Sequence, residues 1–192
     1  MNPNAYKRPN KPKKLHVSRR DDKPAPVLQV PQVVAVHAST ECHVTPAHIA
    51  ARMVDYLGAA PDMLTLEPSA GTGNLVAALI DSGHYKSQII TVELNQELSA
   101  QLGKRFDYQI ARHGSDFEQY NGIEFDRVIM NPPFKRVKQH IKHALSMLKN
   151  GGVLIALVPI TYEHPQAVTL EALGNDTFSA ARVNTKIIRL KK

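Results

Sequence analysis

The 192-residue chain contains a single cysteine, Cys42. One thiol excludes an internal disulfide and a cysteine-based zinc cluster. No partner pattern marks Cys42 as a nucleophile, so it reads as a structural or incidental thiol. No apolar run reaches the roughly 20 residues that a membrane-spanning helix needs. The first residues lack the charged start and apolar stretch of a secretory segment. The chain therefore reads as soluble and cytoplasmic, with no membrane partner. Metal-ligand clusters are missing too. His140 and His143 stand three apart, but no acid or third histidine joins them at ligand spacing. No metal is expected, and both read as surface residues. There are no internal repeats, and nothing specifies an oligomeric state.

Charge is nearly balanced except in one place. The formal net charge is +7, and residues 1–36 hold eight basic side chains against two acidic ones, a net +6. Lys11, Lys13, Lys14, Arg19 and Arg20 lie in this stretch, with six of the 13 prolines. Such a segment lacks the apolar content and hydrogen-bonding continuity for a packed element. It reads as a disordered arm whose cations can neutralise phosphates. Residues 37–192 read as one domain.

Within that domain, strand and helix patterns alternate. Thr45-Pro46 precedes a helical stretch from Ala47 to Leu57, with Ile49, Met53 and Leu57 at spacing four. Thr45 is placed to cap this helix and Pro46 to open it. A strand over Met63–Leu66 runs into Glu67-Pro68-Ser69-Ala70-Gly71-Thr72-Gly73, and a helix from about Asn74 follows. Strand, glycine turn, helix is the layout of a nucleotide-binding crossover. The dinucleotide fingerprint wants a third glycine where Val76 stands, which disfavours a dinucleotide oxidoreductase. Ile89–Val92 is a second strand, and Glu93 follows it, 20 residues beyond Gly73. An acid there can take both hydroxyls of a ribose, or can simply open the next helix. A third strand is expected near Tyr108–Ala111. After it, Asp116 can accept from an adenine amine or cap a turn.

Phe125–Met130 is β-branched, apolar and stopped by Asn131-Pro132-Pro133-Phe134. Two prolines cannot continue a ladder. The turn presents an amide side chain, bare carbonyls and an aromatic ring, a set of groups that suits a flat nucleobase amine. A helix is expected over Lys135–Leu148, ended by Asn150-Gly151-Gly152. Val153–Val158 reads as a central parallel strand. Residues 160–181 read as a loop with at most a short helix, and Val183–Leu190 as a last strand. The alternation predicts an α/β fold, a three-layer αβα sandwich with a Rossmann-like, mostly parallel sheet. Ligands in such sheets lie beyond the carboxyl ends of strands. Glu67–Gly73, Glu93, Asp116 and Asn131–Phe134 all stand at such ends.

Over about residues 43–190 the sequence resembles the class I S-adenosylmethionine-dependent methyltransferases, and within them those that modify N6 of adenine in DNA. Leu66–Gly73 resembles the family's cofactor loop and Asn131–Phe134 its catalytic motif. The resemblance implies S-adenosyl-L-methionine as cofactor. It would be held by Thr45, Glu67, Pro68, Ser69, Ala70, Gly71, Gly73, Glu93, Leu94, Asp116 and Asn131. It further implies that Asn131, Pro132, Pro133 and Phe134 carry the chemistry. Lys135, Arg136 and Lys138 flank the motif and are expected to meet nucleic acid, DNA more than RNA. Only about 30 residues follow the fifth strand, too few for the family's separate recognition domain, so low sequence specificity is expected. RNA base methylation, protein glutamine methylation and a catalytically silent nucleic-acid-binding subunit remain as alternatives.

Overall fold

The computed structural model describes residues 44–178 and 183–192. The basic arm, Cys42 and the stretch up to residue 43 lie outside the described residues.

The elements are α1 (Ala47–Leu57), β1 (Thr65–Glu67), α2 (Asn74–Asp81), β2 (Ile89–Val92), α3 (Gln96–Arg105), β3 (Ala111–His113), β4 (Phe125–Met130), α4 (Val137–Ser146), β5 (Leu148–Pro159), β6 (Val168–Leu173) and β7 (Thr185–Lys191). Their strands form a seven-stranded sheet in the order β3-β2-β1-β4-β5-β7-β6. The first five are parallel, while β7 runs antiparallel to both β5 and β6.

Strand residues divide by parity between two apolar layers. Ile129, Val153, Ile155, Leu157 and Ile187 pack with Ile49 and Met53 of α1, Leu75 and Leu79 of α2, and Leu102 of α3. Val128, Met130, Leu154, Ala156, Val158 and Ile188 pack with Val137, Ile141 and Ala144 of α4. This is the period-two logic of a sheet covered on both faces. It bears out the three-layer α/β expectation.

Several boundaries differ from the sequence reading. The third strand starts three residues late, because Asp107 and Tyr108 take left-handed backbone angles (φ 54° and 56°) that turn the chain out of α3. The helix after the proline turn begins as a tight turn over Phe134–Arg136 and ends at Ser146. β5 then starts at Leu148, so Asn150-Gly151-Gly152 lies within the strand and does not stop the helix. Most of the discrepancy lies in 160–181, where Val168–Leu173 forms β6. The stretch Leu170–Leu173 has no strand signature of its own, and pairing with β7 decides its state.

Among the described residues no helix is long and apolar enough to cross a membrane.

The turn after β1 is held from behind by α3. Gly73 has φ +82°, and a Cβ there would sit 2.6 Å from Leu102 Cδ2 and 2.9 Å from Phe106 Cε2. Both partners are buried and cannot swing aside. Gly73→Ala therefore combines overpacking with backbone strain and is expected to cost about 1–3 kcal/mol. Urea unfolding of the variant against the parent measures this.

Candidate active site

The carboxyl ends of β1, β2, β3 and β4 open into one cavity of about 420 Å³. Register brings them level: Glu67 pairs with Thr91 on β2, and Leu66 with Val128 on β4. Thr45, Glu67, Pro68, Ser69, Ala70, Gly71, Glu93, Leu94, Asp116 and Asn131 all line it. Pro133, Lys135 and Arg136 line it as well. Gly73 does not; it lies behind the loop, against Leu102 and Phe106. Pro132 is buried beneath the turn, and Phe134 packs edge-on against Phe178 with ring centroids 6.4 Å apart.

Glu93 ties the loop to the sheet. Its Oε2 accepts the Gly71 N–H at 2.7 Å, and its Oε1 accepts the Asn95 N–H at 2.8 Å. A carboxylate has about four acceptor sites, so capacity remains for hydroxyl donors in the cavity. Asn95, not Glu93, caps α3, accepting from the N–H groups of Glu97 and Leu98. From the far end of α3, Arg105 donates to the Thr72 carbonyl and to Asn74 Oδ1.

Glu67 is 1% exposed, and neither of its side-chain oxygens has a hydrogen-bond partner. Burial, then the charge of Glu93, pushes its carboxyl well above the usual carboxylate range. A buried polar group without a partner is costly, and such groups concentrate at functional sites. At the opposite end lies a charge cluster. Asp116 Oδ1 caps the Phe117–Gln119 turn through the Glu118 N–H at 3.1 Å. Arg136 bridges Asp116 (3.3 Å) and Glu118 (2.8 Å). Burial alone would raise the Asp116 pKa. The Glu118 N–H and Arg136 overcome this and hold it below its ordinary value.

Arg136 is held by two acids at the cavity rim, and Lys135 and Lys138 are exposed. Two sequence expectations need correction. Thr45 was expected to cap α1, but the cap position falls to Pro46 and no side chain caps this helix. Its hydroxyl instead accepts the Asn131 Nδ2–H at 3.0 Å. His140 was read as a surface residue, yet it is 4% exposed and lines the cavity beside Phe117, with ring centroids 5.4 Å apart. Burial lowers its pKa against the pull of Glu118, which favours the neutral ring. The signal was present: 137, 140, 141 and 144 share one helix face. His143 is half-buried and its Nε2 meets the Tyr120 carbonyl at 2.8 Å. Phe178 left no signal, because only the tertiary fold brings it to Phe134. Among the described residues no group of three or more metal-ligating side chains occurs.

No family model matches the chain. The modification methylase CviBIII of Paramecium bursaria Chlorella virus NC1A is 32% identical over 75 residues, 38% of this chain and 20% of that protein. The type II restriction enzyme and methyltransferase RM.BcgI of Heyndrickxia coagulans is 25% identical over 194 residues, 77% of this chain and 30% of that protein. The chain thus spans between a fifth and a third of the length of these curated relatives. The crystal structure of the 23S rRNA methyltransferase ErmE superposes with a TM-score of 0.67 at 15% identity, over 79% of this chain and 70% of that one. The chain has the class I methyltransferase fold. In this methyltransferase fold the cavity occupies the position where open parallel sheets bind their ligands.

The buried Glu67 makes a stability prediction. In the unfolded chain this carboxyl ionises near its ordinary value, about 4.3. In the folded protein it keeps its proton to higher pH. Between those two values the folded state binds more protons, so stability falls as pH rises. Glu67→Gln removes this slope. Its melting temperature relative to the parent is expected to increase from pH 5 to pH 8, as read by thermal unfolding.

Proposed function

We propose that this chain is an S-adenosylmethionine-dependent methyltransferase acting on N6 of adenine in nucleic acid, with DNA the favoured substrate. One observation carries the reading: Asn131 and Pro133 of the proline turn line the same cavity as Glu67, Glu93 and Asp116. The residues fit the cofactor. Glu93 retains acceptor sites for ribose hydroxyls, Leu94 and Phe117 offer apolar faces to a purine, and Asp116 can accept its amine. Glu67 is a buried acceptor for a cationic group. Bound S-adenosylmethionine supplies an electrophilic methyl group on a sulfonium that departs as a neutral thioether.

The protein's part is to make a poor nucleophile reactive. The adenine amine delocalises its lone pair into the ring. The Asn131 side-chain oxygen and the Pro132 carbonyl accept its two hydrogens. Together they favour a pyramidal nitrogen and stabilise the positive charge that develops on it. Holding the amine in line provides much of the remaining acceleration. After the new N–C bond forms, the cationic nitrogen is strongly acidic and gives its proton to water. Phe134 offers a stacking face, worth about 1–3 kcal/mol for a base out of its helix.

DNA is favoured by the resemblance of the proline turn and by the modification-methylase relatives. RNA base methylation is the second reading, and the likeness to an rRNA methyltransferase favours it. Incubation with labelled cofactor and a panel of duplex DNA, single-stranded DNA, tRNA and rRNA tests both. Digestion is expected to return N6-methyladenine from DNA, and Asn131→Ala to abolish it. Glu93→Ala is expected to weaken S-adenosylhomocysteine binding by about 1.5–3 kcal/mol, read by calorimetry, through lost charge-assisted bonds. Deleting residues 1–36 is expected to flatten the dependence of log K for DNA on log salt by several units, while cofactor affinity is retained.

A further inference from the structure

Asparagine presents a problem of orientation. Its amide oxygen and nitrogen occupy nearly the same shape but have opposite hydrogen-bonding sense. An amine substrate needs the oxygen; the amide turned over would offer N–H to N–H. Something in the protein must set which end faces the substrate.

The structure provides a candidate. Thr45 is 5% exposed and lines the cavity, and its Oγ1 accepts from Asn131 Nδ2 at 3.0 Å across 86 residues of sequence. Thr45 is itself pinned. Its carbonyl accepts the Asn74 Nδ2–H at 2.9 Å, and Asn74 Oδ1 accepts from Arg105 Nη1 at 3.0 Å. The same Arg105 nitrogen donates to the carbonyl of Thr72. A polar chain therefore runs from the last turn of α3, past the start of α2, to the amide at the end of β4. The two asparagines engage Thr45 through Nδ2 alike, one at its hydroxyl and one at its carbonyl. The hydroxyl has no role in capping α1, since no side-chain cap bond forms there.

We propose that Thr45 is a positioning residue for Asn131: by accepting the Nδ2–H it turns the side-chain oxygen toward the target amine. This rests on the reading of Asn131 as the acceptor in methyl transfer. A hydroxyl also carries one hydrogen, which the same arrangement leaves for a different acceptor. Valine has the shape of threonine without the lone pairs, and serine has the lone pairs without the methyl. The pair separates hydrogen bonding from packing.

The test uses the full chain with Thr45→Val, Thr45→Ser and Asn131→Asp. Asparagine side-chain resonances of ¹⁵N-labelled protein are recorded, with Asn131→Asp identifying the Asn131 pair by its loss. Thr45→Val is expected to move one hydrogen of that pair to the position of a water-exposed amide, while Thr45→Ser leaves it in place. With S-adenosylhomocysteine, calorimetry reads any change in cofactor Kd for Thr45→Val, so that kcat is compared with every variant saturated. With cofactor and DNA at saturation, kcat of Thr45→Val is expected to fall on the order of 10- to 100-fold, the effect of a misplaced catalytic group. Thr45→Ser is expected to recover most of it. An Asn131 resonance unmoved by Thr45→Val overturns the proposal. So does an unchanged kcat, or a loss confined to cofactor Kd, which would make Thr45 a cofactor contact only. If the parent binds no S-adenosylhomocysteine and methylates nothing, the functional reading falls, and this inference falls with it.

Discussion

The parallel pairing of β2, β1 and β4 is the constraint on which the site depends. Parallel strands in register end together, and every crossover returns the chain to begin the next strand at the opposite edge. Glu67, Glu93 and Asn131 are far apart in sequence, yet each follows or ends one of these strands and so arrives at the same edge. A slip of one residue in β1 would turn Glu67 to the other face, because side chains alternate. The apolar division of the sheet opposes that slip: Leu66 of β1 is buried in the layer of α4, while β2 and β4 on either side place Ile89 and Ile129 in the layer of α1–α3.

Onto this frame the chain adds polar groups that an apolar core would not tolerate. Both Glu67 and His140 have buried side-chain polar atoms without a hydrogen-bond partner, His140 beside Phe117. Asp116, Glu118 and Arg136 hold one another at the rim. These arrangements cost stability in the empty protein and become intelligible if a cationic, purine-bearing ligand completes them. Gly71 and Gly73 serve the same end. One lets its N–H reach Glu93, and the other lets the loop lie flat against α3.

Fewer polar groups are fixed around the proline turn than around the glycine loop. Phe134 and Phe178 meet edge to face near the proline turn. Arg136 is tied to the acids of the cavity. The likeness to both modification methylases and an rRNA methyltransferase fits a fold whose cofactor half is shared and whose substrate half varies.

The sequence alone determined the alternation of strand and helix, the covered parallel sheet, and the set of residues at strand ends. Local signals sufficed for these: Ile89–Val92 and Phe125–Met130 are β-branched and apolar, and Pro132-Pro133 and Gly71–Gly73 interrupt regular structure wherever they occur. Only the tertiary structure decided where polar side chains spend their hydrogen bonds. Thr45 had the local chemistry of a helix cap and went to Asn131. Arg136, beside the proline turn, pairs with Asp116 and Glu118. Leu170–Leu173 became a strand because β7 offered it an edge. Each choice was between partners of similar local merit, and the partner that prevailed was tens of residues away in several of these cases. Sequence spacing carries no record of such proximity until the sheet has assembled.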